Sequence, residues 1–122
     1  MMLNIMVKKV WGWVWHLFAS PHAAVSYLSL RSGFQCSRHH HRDRVNMFAL
    51  ISGQVLIEEW PTGGIYICTQ LHPGGTHQIP AGIDHRFRVI EDGEMIEVYW
   101  PVEGATVRLD DIVRLDEGGP IR

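Results

Sequence analysis

Glycine and proline cut this 122-residue chain into short apolar pieces, and none of them carries a sustained 3.6-residue period. Helices of useful length are thereby excluded, and a fold made of many brief strands is left. The turn signals are Ser20-Pro21-His22, Arg31-Ser32-Gly33, Ser52-Gly53, Pro61-Thr62-Gly63-Gly64, Pro73-Gly74-Gly75, Pro80-Ala81-Gly82 and the hairpin signal Glu91-Asp92-Gly93. Between them, strands are expected over 10–18, 24–30, 45–51, 54–60, 65–71, 76–79, 85–90 and 95–100. The segment 110–115 reads equally as a last strand or a helical turn. Strands at this spacing predict an all-β single domain, a sandwich or a small barrel. A barrel with alternating inward side chains can enclose one small ligand.

Composition narrows the function classes. Charged residues make up 20% of the chain, the net charge is -2, and the 11 lysines and arginines form no basic stripe. Neither a nucleic-acid nor a membrane surface is expected. Lys8-Lys9, an apolar run and Ala19-Ser20 imitate a secretory leader. Trp11, Trp13, Trp15 and Leu17 nevertheless recur every second residue, as on a strand, and the run is too short to span a bilayer. Cys36 and Cys68 make no metal or redox spacing, so reduced thiols and a cytoplasmic protein are expected. The domain is expected to span 9–116, between tails at 1–8 and 117–122. The alternating tryptophans predict an aromatic strand face that a second copy covers, hence a homodimer.

The chemistry-bearing feature is His39-His40-His41, followed at a distance by His85. Successive side chains on a strand alternate faces, so His39 and His41 share one face and His40 takes the other. Two imidazoles at i and i+2 can grip one divalent ion, and His85 can close the site from another strand. Neutral imidazole suits Zn first, with Mn, Fe, Co and Ni as further candidates. His77 flanks the Pro73-Gly74-Gly75 turn and is a candidate for the mouth of the site.

Two spacings in the chain resemble the paired motifs of the cupin superfamily. The first cupin motif, G-x5-H-x-H-x(3,4)-E-x6-G, is met by Gly33, His39, His41, Asn46 and Gly53. The second, G-x5-P-x-G-x2-H-x3-N, is met by Gly74, Pro80, Gly82 and His85, with Val89 in the last place. The resemblance implies a double-stranded β-helix, or jelly-roll barrel. It also implies a metal held by His39, His41 and His85, with Asn46 where the family has a carboxylate ligand. A neutral amide in that place leaves the site one charge more positive, which favours anionic ligands.

A narrower resemblance is to the cupin domain of type II phosphomannose isomerases, a domain often fused to a mannose-1-phosphate guanylyltransferase. It is carried by Lys9-Val10-Trp11-Gly12-Trp13, by His39-His40-His41-Arg42, by the segment from Ile79-Pro80 to His85-Arg86, by Ile96-Glu97-Val98 and by Asp110-Asp111-Ile112-Val113-Arg114. The last string was not needed for metal binding on this reading and spoke only for kinship. The departures are Asn46, Val10 for proline, and a triple histidine shifted by two positions. This resemblance implies metal-assisted aldose–ketose isomerisation of a sugar phosphate through an enediol, near mannose 6-phosphate. Glu97 is then the candidate base, and Arg42 and Arg86 are candidates to hold the phosphate. Two alternatives stand beside it, a metal-dependent oxygenase or lyase and a non-catalytic module that binds a sugar or an anion.

Overall fold

The computed structural model describes residues 6–122. Eleven strands form one curled antiparallel sheet. They are β1 (Met6–Lys9), β2 (Gly12–Ala19), β3 (Ala24–Leu30), β4 (Phe34–Gln35), β5 (His39–His40), β6 (Arg44–Trp60), β7 (Ile67–Leu71), β8 (Thr76–Ile79), β9 (Asp84–Pro101), β10 (Val113–Arg114) and β11 (Gly119–Pro120). Among the described residues no helix is long and apolar enough to cross a membrane.

Two long strands make the frame. β6 and β9 pair from Arg44 opposite Pro101 to Trp60 opposite Asp84. The signals at Ser52-Gly53 and Glu91-Asp92-Gly93 predict breaks between strands, but both strands run through them. What the glycines supply is a bend. The register shifts around Ser52 and Gln54, and Gly53 adopts φ 88°. A Cβ on Gly93 would lie 1.9 Å from the Ser52 carbonyl oxygen, so only glycine lets the two chains approach so closely there.

The bend divides the frame into two arms. β3 joins the arm made by the C-terminal half of β9, β2 joins β3, and β1 joins β2. β8 lies on the N-terminal half of β6, and β7 on its C-terminal half. β4 and β5 attach to the N-terminal half of β9, covered in turn by β11 and β10. Met6–Lys9, expected in a tail, is therefore a strand, and Gly119–Pro120 is paired as well. The segment 110–115 resolves to a short strand, β10.

Period-2 alternation decides what the barrel encloses. Arg44, Asn46, Phe48, Leu50, Val55, Ile57 and Glu59 of β6 are buried, as are His85, Phe87, Val89, Met95, Glu97 and Tyr99 of β9. Apolar rows fill the end near the bend, where Leu50, Val55, Val89 and Met95 are at most 2% exposed. Each such side chain contributes about 1.5–3 kcal/mol of burial free energy. The polar residues Arg44, Asn46, His85, Glu97 and Tyr99 gather at the far ends of the same strands.

The tryptophan stripe is corrected. Trp13 and Trp15 are 39% and 42% exposed on β2, but Trp11 is buried, edge-on to Phe87 at 4.8 Å. Trp11 precedes the strand, and Gly12, with φ 143°, resets the pleat between it and Trp13.

Candidate metal centre

His39 and His85 are cross-strand partners on β5 and β9, and His41 follows on the turn into β6. The three rings meet inside the barrel, with centroids 4.6 to 5.3 Å apart. One ligand atom from each lies within 4.8 Å of the others. His40 points elsewhere, its Nδ1 2.8 Å from an Asp84 carboxylate oxygen, as alternation required.

Each ring is held from behind. His39 Nδ1 donates to the Ser37 carbonyl at 2.7 Å, His41 Nδ1 to the Asp111 carbonyl at 2.7 Å, and His85 Nδ1 to the Ile83 carbonyl at 2.8 Å. A carbonyl can only accept, so all three protons sit on Nδ1 and each Nε2 keeps its lone pair. The Nε2 atoms of His41 and His85 are buried and have no hydrogen-bond partner among the described residues. Burial pushes the His39 imidazole down to about 2, helped by its neighbours His85 and His41. Burial, then the nearby Arg44 charge, takes His41 to about 3, and burial takes His85 to about 4. Three neutral imidazoles with converging free lone pairs, each fixed by an outer acceptor, fit a divalent metal.

The C-terminal segment helps to build this arrangement, which sequence reasoning missed. Besides orienting His41 through its carbonyl, Asp111 accepts from the Arg42 and Asp43 backbone N–H groups at 2.9 Å each. One buried aspartate thus pins the turn that presents His41. β10 pairs Val113 with His40 and Arg114 with His39. The terminal string regarded as a mark of kinship alone is a support for the ligand strand.

A cavity of about 390 Å³ opens beside the histidines. Its polar wall includes His39, His41, Arg44, Glu97 and Tyr99, and its apolar wall Trp11, Val14, Phe48 and Phe87. Asn46 is fully buried, with Nδ2 donating to Glu97 Oε2 at 3.0 Å and Oδ1 without a partner among the described residues. Burial raises the Glu97 carboxyl above the usual carboxylate range. Asn46 and Glu97 therefore lie inside the barrel.

The other three candidates are not in this cavity. Arg42 is exposed. Arg86 lies on the opposite face of β9 from His85, bound to Glu58 at 2.7 Å. His77 is engaged with Glu59. Lys8, Lys9 and Arg114 line the cavity instead, and so does the buried Arg44. Counting back by twos from Leu50, Phe48 and Asn46 reaches it, so the signal was present in the alternation.

No family model and no curated protein matches the chain. Solved structures do. Oxalate decarboxylase from Bacillus subtilis superposes with TM-score 0.79 at 15% identity, over 92% of this chain and 30% of that one. Oxalate decarboxylase from Lactobacillus farciminis, in a formate complex, gives 0.78 at 18%, over 92% and 34%. The chain thus spans about a third of the length of these neighbours. Its fold is the single-domain cupin β-barrel, as expected.

Proposed function

We propose that this chain binds one divalent metal ion through His39, His41 and His85 and acts as a metal-dependent enzyme on a small organic substrate. The observation that carries the reading is the convergence of three imidazoles whose Nδ1 protons are all committed to backbone carbonyls. Two buried Nε2 atoms without partners would each cost about 1–3 kcal/mol, a cost that an ion removes. Asn46 Oδ1 is a candidate fourth donor, weaker than a carboxylate. Bound there, the metal would supply Lewis-acid polarisation of a substrate oxygen.

Of the reaction classes, an oxygenase or lyase suits the cavity best. Trp11, Val14, Phe48 and Phe87 give it an apolar side against which a compact organic molecule can lie, facing a polar side of His39, His41, Arg44 and Tyr99. The arginines expected to hold the phosphate of an isomerase substrate, Arg42 and Arg86, lie outside it, although Lys8, Lys9, Arg44 and Arg114 line it. One observation favours the isomerase as a second reading: Glu97 lines the cavity with its proton affinity raised by burial, as a base for an enediol step would be.

Metal analysis of untagged protein is the test. Stoichiometric Zn, Mn, Fe, Co or Ni that is lost in His41→Ala supports the metal reading, and an absence of metal affinity in the wild type ends it. Loaded protein is then assayed for oxygen uptake, for decarboxylation of small acids, and for interconversion of mannose 6-phosphate and fructose 6-phosphate. Turnover in the last assay alone would put the isomerase first.

We further propose a homodimer. Met6, Trp13, Trp15 and Leu17 are 39–52% exposed, and the cross-strand row from Trp15 through Tyr27 to Ile96 extends their face over β3 and β9. The row Met6, Trp15, Tyr27 and Ile96 is apolar across all four strands, and a second copy would cover it. Sedimentation of wild type as a dimer and of Trp15→Lys as a monomer is expected. A monomeric wild type would refute it.

A further inference from the structure

Arg44 is a buried cation without a counter-ion. It is 3% exposed, and no carboxylate oxygen among the described residues lies within 4.0 Å of its nitrogens. Other half-buried arginines differ in this respect: Arg38 is paired with Asp84 at 3.5 Å, and Arg86 with Glu58 at 2.7 Å. Of the two carboxylates that line the cavity, Glu97 is bonded to Asn46 instead, and Glu117 makes no ion pair with Arg44.

The guanidinium is nevertheless held firmly. Nη1 donates to the Arg108 carbonyl at 2.5 Å, and Cζ lies 3.9 Å from the centre of the Tyr99 ring. The bond to Arg108 is the one hydrogen bond it makes among the described residues, and Nε is buried without a partner. The Nε–Nη2 edge therefore has no hydrogen-bond partner among the described residues. That edge presents two parallel N–H groups in one plane, the fork that a carboxylate accepts bidentately.

Arg44 lines the cavity together with His39 and His41. Tyr99 ties them together, its ring touching the guanidinium on one side and lying 5.8 Å from His41 on another. A buried, unpaired guanidinium is strongly unfavourable, and an anion entering the cavity relieves that cost. The wall also offers the apolar Trp11, Val14, Phe48 and Phe87, with Lys8, Lys9 and Arg114 as further cations.

We propose that the cavity binds a small organic carboxylate, its carboxylate gripped by the Nε–Nη2 edge of Arg44 and its apolar body laid against Trp11, Phe48 and Phe87. This names the substrate class of the metal-dependent enzyme proposed above and rests on that reading for its catalytic meaning. Capture of the anion by Arg44 itself needs no ion.

Benzoate is the probe, titrated calorimetrically into the metal-free full chain, with benzamide as neutral isostere and inorganic phosphate as competing anion. Benzoate is expected to bind and benzamide not. Arg44→Gln should weaken benzoate roughly tenfold or more, and Arg44→Lys, which keeps charge but loses the fork, should fall between. Equal binding of benzoate and benzamide, unchanged affinity in Arg44→Gln, or Arg44-dependent binding of phosphate but not benzoate would each overturn the proposal. Should Arg44→Gln fail to fold, the side-chain Nε resonance of Arg44 in wild-type protein replaces it: benzoate must shift that signal, and an unmoved signal overturns the assignment. A wild type that binds Zn but not benzoate refutes the carboxylate site and spares the metal centre. Binding of benzoate without affinity for any divalent ion does the reverse.

Discussion

Acid should unfold the metal-free protein well above the pH at which its carboxylates titrate. His39, His41 and His85 sit at about 2, 3 and 4 in the folded chain, against about 6.5 once unfolded. A base whose folded value is depressed contributes its full stability above the unfolded value and loses it as pH falls. The unfolded chain gains protons below about 6.5 that the folded chain refuses, so stability drops by up to about 1.4 kcal/mol per pH unit for each ring. From pH 7 to pH 5 each histidine costs about 2 kcal/mol, and the three together about 5–6. Glu97 works in the other direction, because burial raises its value and the folded chain keeps a proton that the unfolded chain releases as pH rises. It offsets part of the histidine loss, and what remains is a large fraction of the whole stability of a domain of this size. The assay is urea denaturation followed by tryptophan fluorescence at pH 5 to 8 in chelator, repeated with excess Zn. The ion binds only deprotonated rings of the folded state, and these stay deprotonated down to about pH 4, so Zn should raise the midpoint throughout pH 5 to 8. A chelated protein whose stability changes by less than about 1 kcal/mol between pH 7 and pH 5 would show that these rings are not neutral and buried together.

Other consequences are equally open to measurement. Asn46→Glu should tighten Zn binding by roughly tenfold or more and lower the melting temperature of the metal-free form, since a second carboxylate then meets Glu97; calorimetry and melts in chelator read the two effects, and unchanged affinity would remove Asn46 from the coordination sphere. Gly93→Ala should destabilise by about 2 kcal/mol or more, because its Cβ would lie 1.9 Å from the Ser52 oxygen, and a denaturation curve matching wild type would refute the close approach. Cys36 is buried, and burial pushes its thiol up to about 12, whereas Cys68 is exposed. An aromatic disulfide reagent should therefore titrate one thiol per native chain and two after unfolding.

Sequence alone determined the strand-rich class and the shared face of His39 and His41, while Asn46 and Glu97 came only from the family resemblances. Those are local facts: turn chemistry sets where a strand can run, and a two-residue repeat sets which side chains face together. The cupin spacings added His85, because paired motifs carry information about distant parts of the chain that periodicity does not. Three matters were decided by tertiary structure. Gly53 and Gly93 look like strand ends until it is known that they face each other, and only then do they read as a bend in two continuous strands. Arg42 and Arg86 resemble substrate clamps by neighbourhood in sequence, yet the pleat turns Arg86 outward and the turn exposes Arg42, while Arg44 comes in. The Asp111 carbonyl reaches His41 across seventy residues. Partners for a buried polar atom are found wherever the folded chain brings a matching group. That choice belongs to the closed barrel, because no spacing along the chain specifies which distant carbonyl will stand behind a given ring.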